Sequence, residues 1–204
     1  MASQSSTTVD PDRQCVVDGL HEALRHSGLS QASFARALGT SASRFSTYLS
    51  GSTSPSAALF FRARRLGLGL RVAGQLNRMT PASTAAVVRA ALNDGDEAWA
   101  MAMVLQGRDD LRALLDQRGA GADAWECDPG PLGQPAFDAL LRALIAHEFT
   151  LAGRDEPRWT RPGAELGSFV FPSPYYDEHE IRRRTPNWLA ERGVYLVERD
   201  LETA

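Results

Sequence analysis

The stretch GTSASRFSTYLSG, from Gly39 to Gly51, sets Ser41, Ser43, Arg44, Ser46 and Thr47 close together, with Phe45, Tyr48 and Leu49 among them. Each hydroxyl can donate and accept a hydrogen bond, and a guanidinium presents a planar fork of donors. Small polar side chains let a backbone approach a surface that carries donors and acceptors. The edges of base pairs in a major groove are such a surface, and an arginine pairs there with two acceptors of a guanine. Other residues of chemistry-bearing type are less well arranged. His147-Glu148 has no second histidine four positions after His147, which a zinc-protease helix requires. Asp177, Glu178, His179 and Glu180 are adjacent, and with His147 they are of metal-ligating type, but their spacing requires no metal; Asp177 is expected to cap a short helix. Cys15 and Cys127 are far apart and in no ligand spacing, so reduced thiols are expected. No Gly-rich phosphate loop or nucleophile elbow occurs, and neither Thr160 nor Ser173 has an identifiable base partner. The expectation is a protein without catalytic residues, metal or cofactor, and not an enzyme.

The charges are segregated. From Ala23 to Asn93 there is no Asp or Glu, while Arg25, Arg36, Arg44, Arg62, Arg64, Arg65, Arg71, Arg78 and Arg89 all lie there. From Asp94 onward 21 acids outnumber 12 arginines, giving a net charge of −9 within a chain whose total is −3. A purely cationic block inside an acidic chain points to a polyanion-binding segment. Every basic residue is arginine, which fits a GC-rich genome and says little about mechanism. No stretch approaches the apolar length of a membrane span, and the opening MASQSSTTVDPDRQ lacks a cationic region followed by an apolar run. A cytoplasmic protein with no membrane partner is expected.

The elements that position the opening stretch are helical. Asp10-Pro11 reads as a cap and first helical residue, followed by Val16, Leu20, Ala23 and Leu24 at helical spacing and a stop at Gly28. Ser30 caps a short helix with Phe34, Ala35 and Leu38 inward; Gly39 stops it. Ser41 caps a third, with Phe45, Tyr48 and Leu49 inward and Gly51 as its end. A fourth starts at Ser54-Pro55, with Leu59, Ala63 and Leu66 inward, and a fifth covers Leu70 to Met79. Thr80-Pro81 opens another, and two more are expected over Glu97 to Leu105 and Asp109 to Arg118. The Gly/Pro-rich run at 118–135 reads as a linker, and Gln134 to Ala152 as a strong helix. Short extended segments are expected in GSFVFPSP and VYLVE, and short helices in DEHEIRRR and TPNWLAERG.

Two short helices joined by a tight Gly-containing turn, the second studded with small polar groups, form a helix-turn-helix. Leu29 to Ser56 resembles that motif of the Cro and lambda-repressor (XRE) family. Ser30-Gln31 opens the first helix, Ala35 lies at the helix crossing, Leu38-Gly39 at the turn, Ser41 caps the recognition helix, Phe45 takes the usual isoleucine position, Gly51 ends it and Pro55 starts the next. Leu49, where the family usually has an acid, departs from the pattern, and the segment from Pro55 to Gly67 is about one residue shorter than usual. The resemblance covers residues 12–80. It implies a five-helix lambda-repressor-like domain over 11–79; with the mostly helical C-terminal region, with little strand, that the sequence pattern predicts, a mainly α fold is expected. It implies a sequence-specific transcriptional regulator, a repressor, that binds an operator in double-stranded DNA as a homodimer. Gln31 matches the phosphate-contacting position; Ala42, Ser43 and Thr47 match base-reading positions; Arg44 and Ser46 flank them. Ser41 completes the DNA-binding set, and Arg62, Arg64 and Arg65 are expected near phosphates.

After the DNA-binding domain the chain divides, on this reading, into a helical dimerisation segment at 80–118, a linker at 119–133 and a small partner- or effector-binding domain at 134–204. Trp125, in the linker, is the best candidate for an exposed partner-binding anchor. The tail TPNWLAERGVYLVERDLETA resembles the end of toxin-associated regulators. The alternative function is therefore an antitoxin that binds a toxin, of nucleotidyltransferase-like type, through its acidic half and autoregulates its operon.

Overall fold

The computed structural model describes residues 10–161 and 167–202, and the described residues are mainly helical. Contacts divide the chain into two compact units, 1–71 and 72–204. The first begins with α1 (Pro11–Ser27), which starts where Asp10 accepts the Asp12 N–H, with proline at its first turn. Two short helices follow: α2 (Gln31–Ala37), capped by Ser30 on the Ser33 N–H, and α3 (Ala42–Leu49), capped by Ser41 on the Arg44 N–H. The turn between them needs a left-handed residue, and Gly39 takes it at φ 73°. Leu20, Phe34, Ala35, Leu38, Phe45, Ala63 and Leu66 are buried and form this unit's core.

The last helix of the unit, α4 (Ala57–Gln75), corrects two expectations. It begins after Ser56, whose hydroxyl accepts the Leu59 N–H, and not at Ser54-Pro55. It also runs through the region where a fourth helix was to end and a fifth to begin, so α1 to α4 hold four helices where five were expected up to Met79. Gly67 and Gly69 look like breaks in sequence. In the fold Gly67 is a contact instead: a Cβ there would overlap the backbone of Ala23, so glycine is what lets α1 and α4 touch. The unit boundary falls inside α4, at Arg71, eight residues before the expected end of the domain at 79.

The second unit is built on α5 (Pro81–Asn93), α6 (Glu97–Asp116) and α7 (Pro135–Leu151). A capping box between Thr80 and Ser83 starts α5, and Asp96 caps α6. The two helices expected on either side of Gln106-Gly107 are one, because Gly107 packs against Thr84 and Trp125 where a side chain would not fit. The expected linker is also folded. Residues Ala120–Glu126 form a 3-10 helix with Gly121, Ala122, Ala124 and Trp125 buried. Leu132 is buried too, its N–H held by Asp138 at 2.8 Å. Burial of the apolar residues interleaved with glycine and proline overrides the loop-like composition. Residues 80–118, 119–133 and 134–204 therefore belong to one unit.

Beyond α7, β1 (Phe169–Val170) and β2 (Val194–Tyr195) pair in parallel, Phe169 opposite Val194. The connection between parallel strands must cross over, and α8 (Glu178–Arg184) and α9 (Asn187–Ala190) supply it. Among the described residues no helix is long and apolar enough to cross a membrane.

Candidate nucleic-acid interface

On α3 the sequence separates two faces. Phe45, Tyr48 and Leu49 are buried, whereas Ser41, Ala42, Ser43, Arg44, Ser46 and Thr47 are all exposed. Phe45 meets Phe34 of α2 edge to face, centroids 5.6 Å apart, which fixes the two short helices on each other. Neighbouring helices brace both ends of this pair. Arg62 of α4 donates to the Leu38 carbonyl at 3.3 Å, at the turn that leads into α3. His21 of α1 lies 3.2 Å from the Leu49 carbonyl at the other end. The exposed face of α3 thus sits on a positioned element, as a recognition surface requires.

The hydroxyls on that face are partly committed. Ser41 Oγ accepts the Arg44 N–H at 3.2 Å and lies 3.1 Å from Ser43 Oγ. Thr47 Oγ1 donates its proton to the Arg44 carbonyl at 2.8 Å, so toward solvent it offers an acceptor. Among the described residues no carboxylate pairs with Arg44. Gln31 is exposed at the first position of α2.

The three arginines of α4 are not brought together. Arg62 is half-buried against the turn before α3. With 3.6 residues per turn, Arg64 and Arg71 point to the other side of α4 from Arg62. There Arg64 lies 3.4 Å from Glu22 of α1. Arg64, Arg65 and Arg71 line a groove of about 370 Å³ between α1 and α4, with Gly19, Glu22, Ala23, His26 and Leu68. Sequence reading placed Arg64 and Arg65 in the cationic block but did not pair them with α1. The signal was present: residues 19, 22, 23 and 26, and residues 64, 67, 68 and 71, each follow the spacing of one helical face.

The remaining chemistry-bearing residues are occupied structurally. His147 stacks on Trp188, centroids 3.8 Å apart; burial lowers its pKa, an effect Glu148 opposes and Arg112 and Arg192 reinforce. Glu148 is buried and takes two bonds from Arg112, at 2.6 and 3.0 Å. Asp177 caps α8 through the Glu180 N–H. Hydrogen bonds from Arg183 and then Arg184 hold the Glu180 carboxyl down at about 2. Burial pushes the Cys127 thiol up to about 12, while Cys15 is exposed. Among the described residues no three His, Cys, Asp or Glu side chains converge as a metal site would need. Trp125 is fully buried and cannot be the exposed anchor expected of it. The exposed tryptophan is Trp99, on the first turn of α6.

No protein-family model, no curated protein and no solved structure matches this chain.

Proposed function

We propose that the chain is a sequence-specific DNA-binding regulator, a cytoplasmic repressor of the XRE type, that docks α3 in the major groove. The observation that carries this reading is the exposed face of α3, with one guanidinium unpaired among the described residues, short hydroxyl side chains, and bracing at both ends. The acid-free block around it supplies the electrostatic attraction to phosphate. Arg44 is the long reader. Thr47 presents an acceptor, which suits an amino group of adenine or cytosine. Gln31 contacts a phosphate. A face with one long polar side chain discriminates weakly, so two copies read two half-sites about 10 base pairs apart as a homodimer. Duplexes from the region upstream of the chain's own gene provide the test. Arg44→Ala lowers affinity by about 1–3 kcal/mol and relaxes sequence choice. Tight binding that survives Arg44→Ala and Gln31→Ala together removes the proposal.

A second reading, the antitoxin, is favoured by one feature of the acidic half: Trp99 stays half-exposed at 51% in a region of net −9. Aromatic anchors in a charged surround suit a cationic protein partner. Co-expression with a toxin encoded beside it decides this reading. Failure to bind that product or to restore growth leaves the repressor alone.

A further inference from the structure

We propose that the groove between α1 and α4 is a binding site for a phosphorylated small molecule, its phosphates held by Arg64 and Arg71 and its body resting on Leu68. Small residues build the floor: Gly19 and Ala23 line it, and Gly67 lets α4 meet the backbone of Ala23. The walls carry Arg64, Arg65, Arg71 and His26 against one carboxylate, Glu22. Leu68, 36% exposed, gives an apolar surface beside the charged side chains. A cleft of about 370 Å³ lies within the size range of small-molecule sites.

The pairing geometry shows that Arg64 and Arg71 are not already neutralised at close range. Three arginine–carboxylate pairs of the second unit are short: 2.6 Å for Arg112–Glu148, 2.5 Å for Arg154–Asp123 and 2.6 Å for Arg192–Glu156. In the groove Arg64 stands 3.4 Å from Glu22, beyond the range of a strong charge-assisted bond. His26 is 3.9 Å from the same carboxylate. Arg71 faces a ring nitrogen of His26 at 3.2 Å and no carboxylate among the described residues. A phosphate between these donors replaces weak contacts with charge-assisted ones, and a second phosphate engages the remaining guanidinium.

The position of the groove argues for a free ligand over operator phosphate. Arg64 and Arg71 lie on the opposite side of α4 from Arg62, and Arg62 is the residue that touches the turn before α3. The inference does not depend on DNA binding, because the groove is defined by α1 and α4 alone.

Inorganic pyrophosphate is the probe, titrated calorimetrically into the full chain at constant ionic strength. Saturable one-to-one binding is expected. Arg64→Gln and Arg71→Gln should each weaken it about tenfold or more, the loss of one charge-assisted contact, while Arg44→Gln on α3 leaves it unchanged. Circular dichroism of the variants confirms that α1 and α4 remain folded. No binding to the wild type overturns the proposal, as does an equal loss in Arg44→Gln, which marks diffuse attraction. If Arg71→Gln weakens duplex DNA binding while pyrophosphate fails to bind the wild type, the groove belongs to the DNA backbone and the small-molecule site is excluded.

Discussion

The two units use arginine in opposite ways. In the second, several arginines are structural. Arg112 closes on buried Glu148, Arg154 on Asp123, Arg192 on Glu156, and the arginines of α8 on Glu178 and Glu180. In the first, Arg44 projects from α3 without a carboxylate partner among the described residues, and Arg64 and Arg71 hold only long or neutral contacts. Both units contain the same basic residue type, so residue type does not create the difference. The distribution of acids does. Within the acid-free stretch from Ala23 to Asn93, Arg44, Arg64 and Arg71 are left without a short carboxylate pair and can meet an external anion, whereas Arg78 reaches out of the stretch to Asp110 at 2.8 Å.

The comparison is sharpest where the same kind of change meets opposite consequences. The largest loss is expected in the second unit's core. Trp125→Ala should cost about 3–5 kcal/mol in urea unfolding, the usual range for deleting a buried aromatic side chain. Trp125→Phe should cost less, because the indole N–H is buried without a partner among the described residues. Next comes a paired test on arginine. Arg112→Met strands the buried Glu148 carboxylate and should cost about 3 kcal/mol. Arg44→Met should change stability by no more than about 0.5 kcal/mol, since it removes an exposed side chain with no partner among the described residues. Equal losses at the two positions would erase the distinction between structural and available arginines. A smaller effect is expected at the start of α3. Ser41→Ala removes the cap on the Arg44 N–H and should cost about 1 kcal/mol. It should also weaken DNA binding if α3 is the recognition helix, whereas Asp177→Ala, the same kind of change at α8, should leave DNA binding as it was.

Helix starts were legible because a cap is a local event: Asp10, Ser30, Ser41 and Thr80 each bond a backbone N–H within three residues. Helix stops were less legible. Gly39 breaks a helix and Gly67 and Gly107 do not, because the last two are filled by a neighbour distant in sequence. The same limit hid Trp125, whose surroundings of glycine and proline look like a linker until Leu114, Thr84 and Gly107 close around that segment. At the candidate interface, the exposed residues of α3 followed from helical periodicity alone. The roles of Arg62 and Arg64 did not, since a bond to the Leu38 carbonyl or an approach to Glu22 depends on how α4 crosses other helices.

The smallest effect expected is one of pH, and it arises in the second unit, at α7. His147 is half-buried, stacked on Trp188 and adjacent to Glu148, with Arg112 and Arg192 near enough to disfavour its charge. Burial is the main cause of its lowered pKa; the two arginines add to it and Glu148 offsets part. The folded protein therefore prefers the neutral imidazole, while the unfolded chain protonates near the ordinary value of 6.5. Above that value neither state carries the proton and the histidine contributes its full share of stability. As pH falls below it, the unfolded chain binds the proton first, and stability declines until the folded-state pKa is reached. Glu180 does not interfere above about pH 5, because its stabilising pairs with Arg183 and Arg184 are lost only as pH falls from 4.5 toward about 2. Urea midpoints taken from pH 7.5 down to about pH 5 should therefore fall in the wild type and fall less in His147→Gln. Identical slopes in the two proteins would show that the imidazole titrates alike folded and unfolded, and that its stack on Trp188 does not discriminate against the charged form.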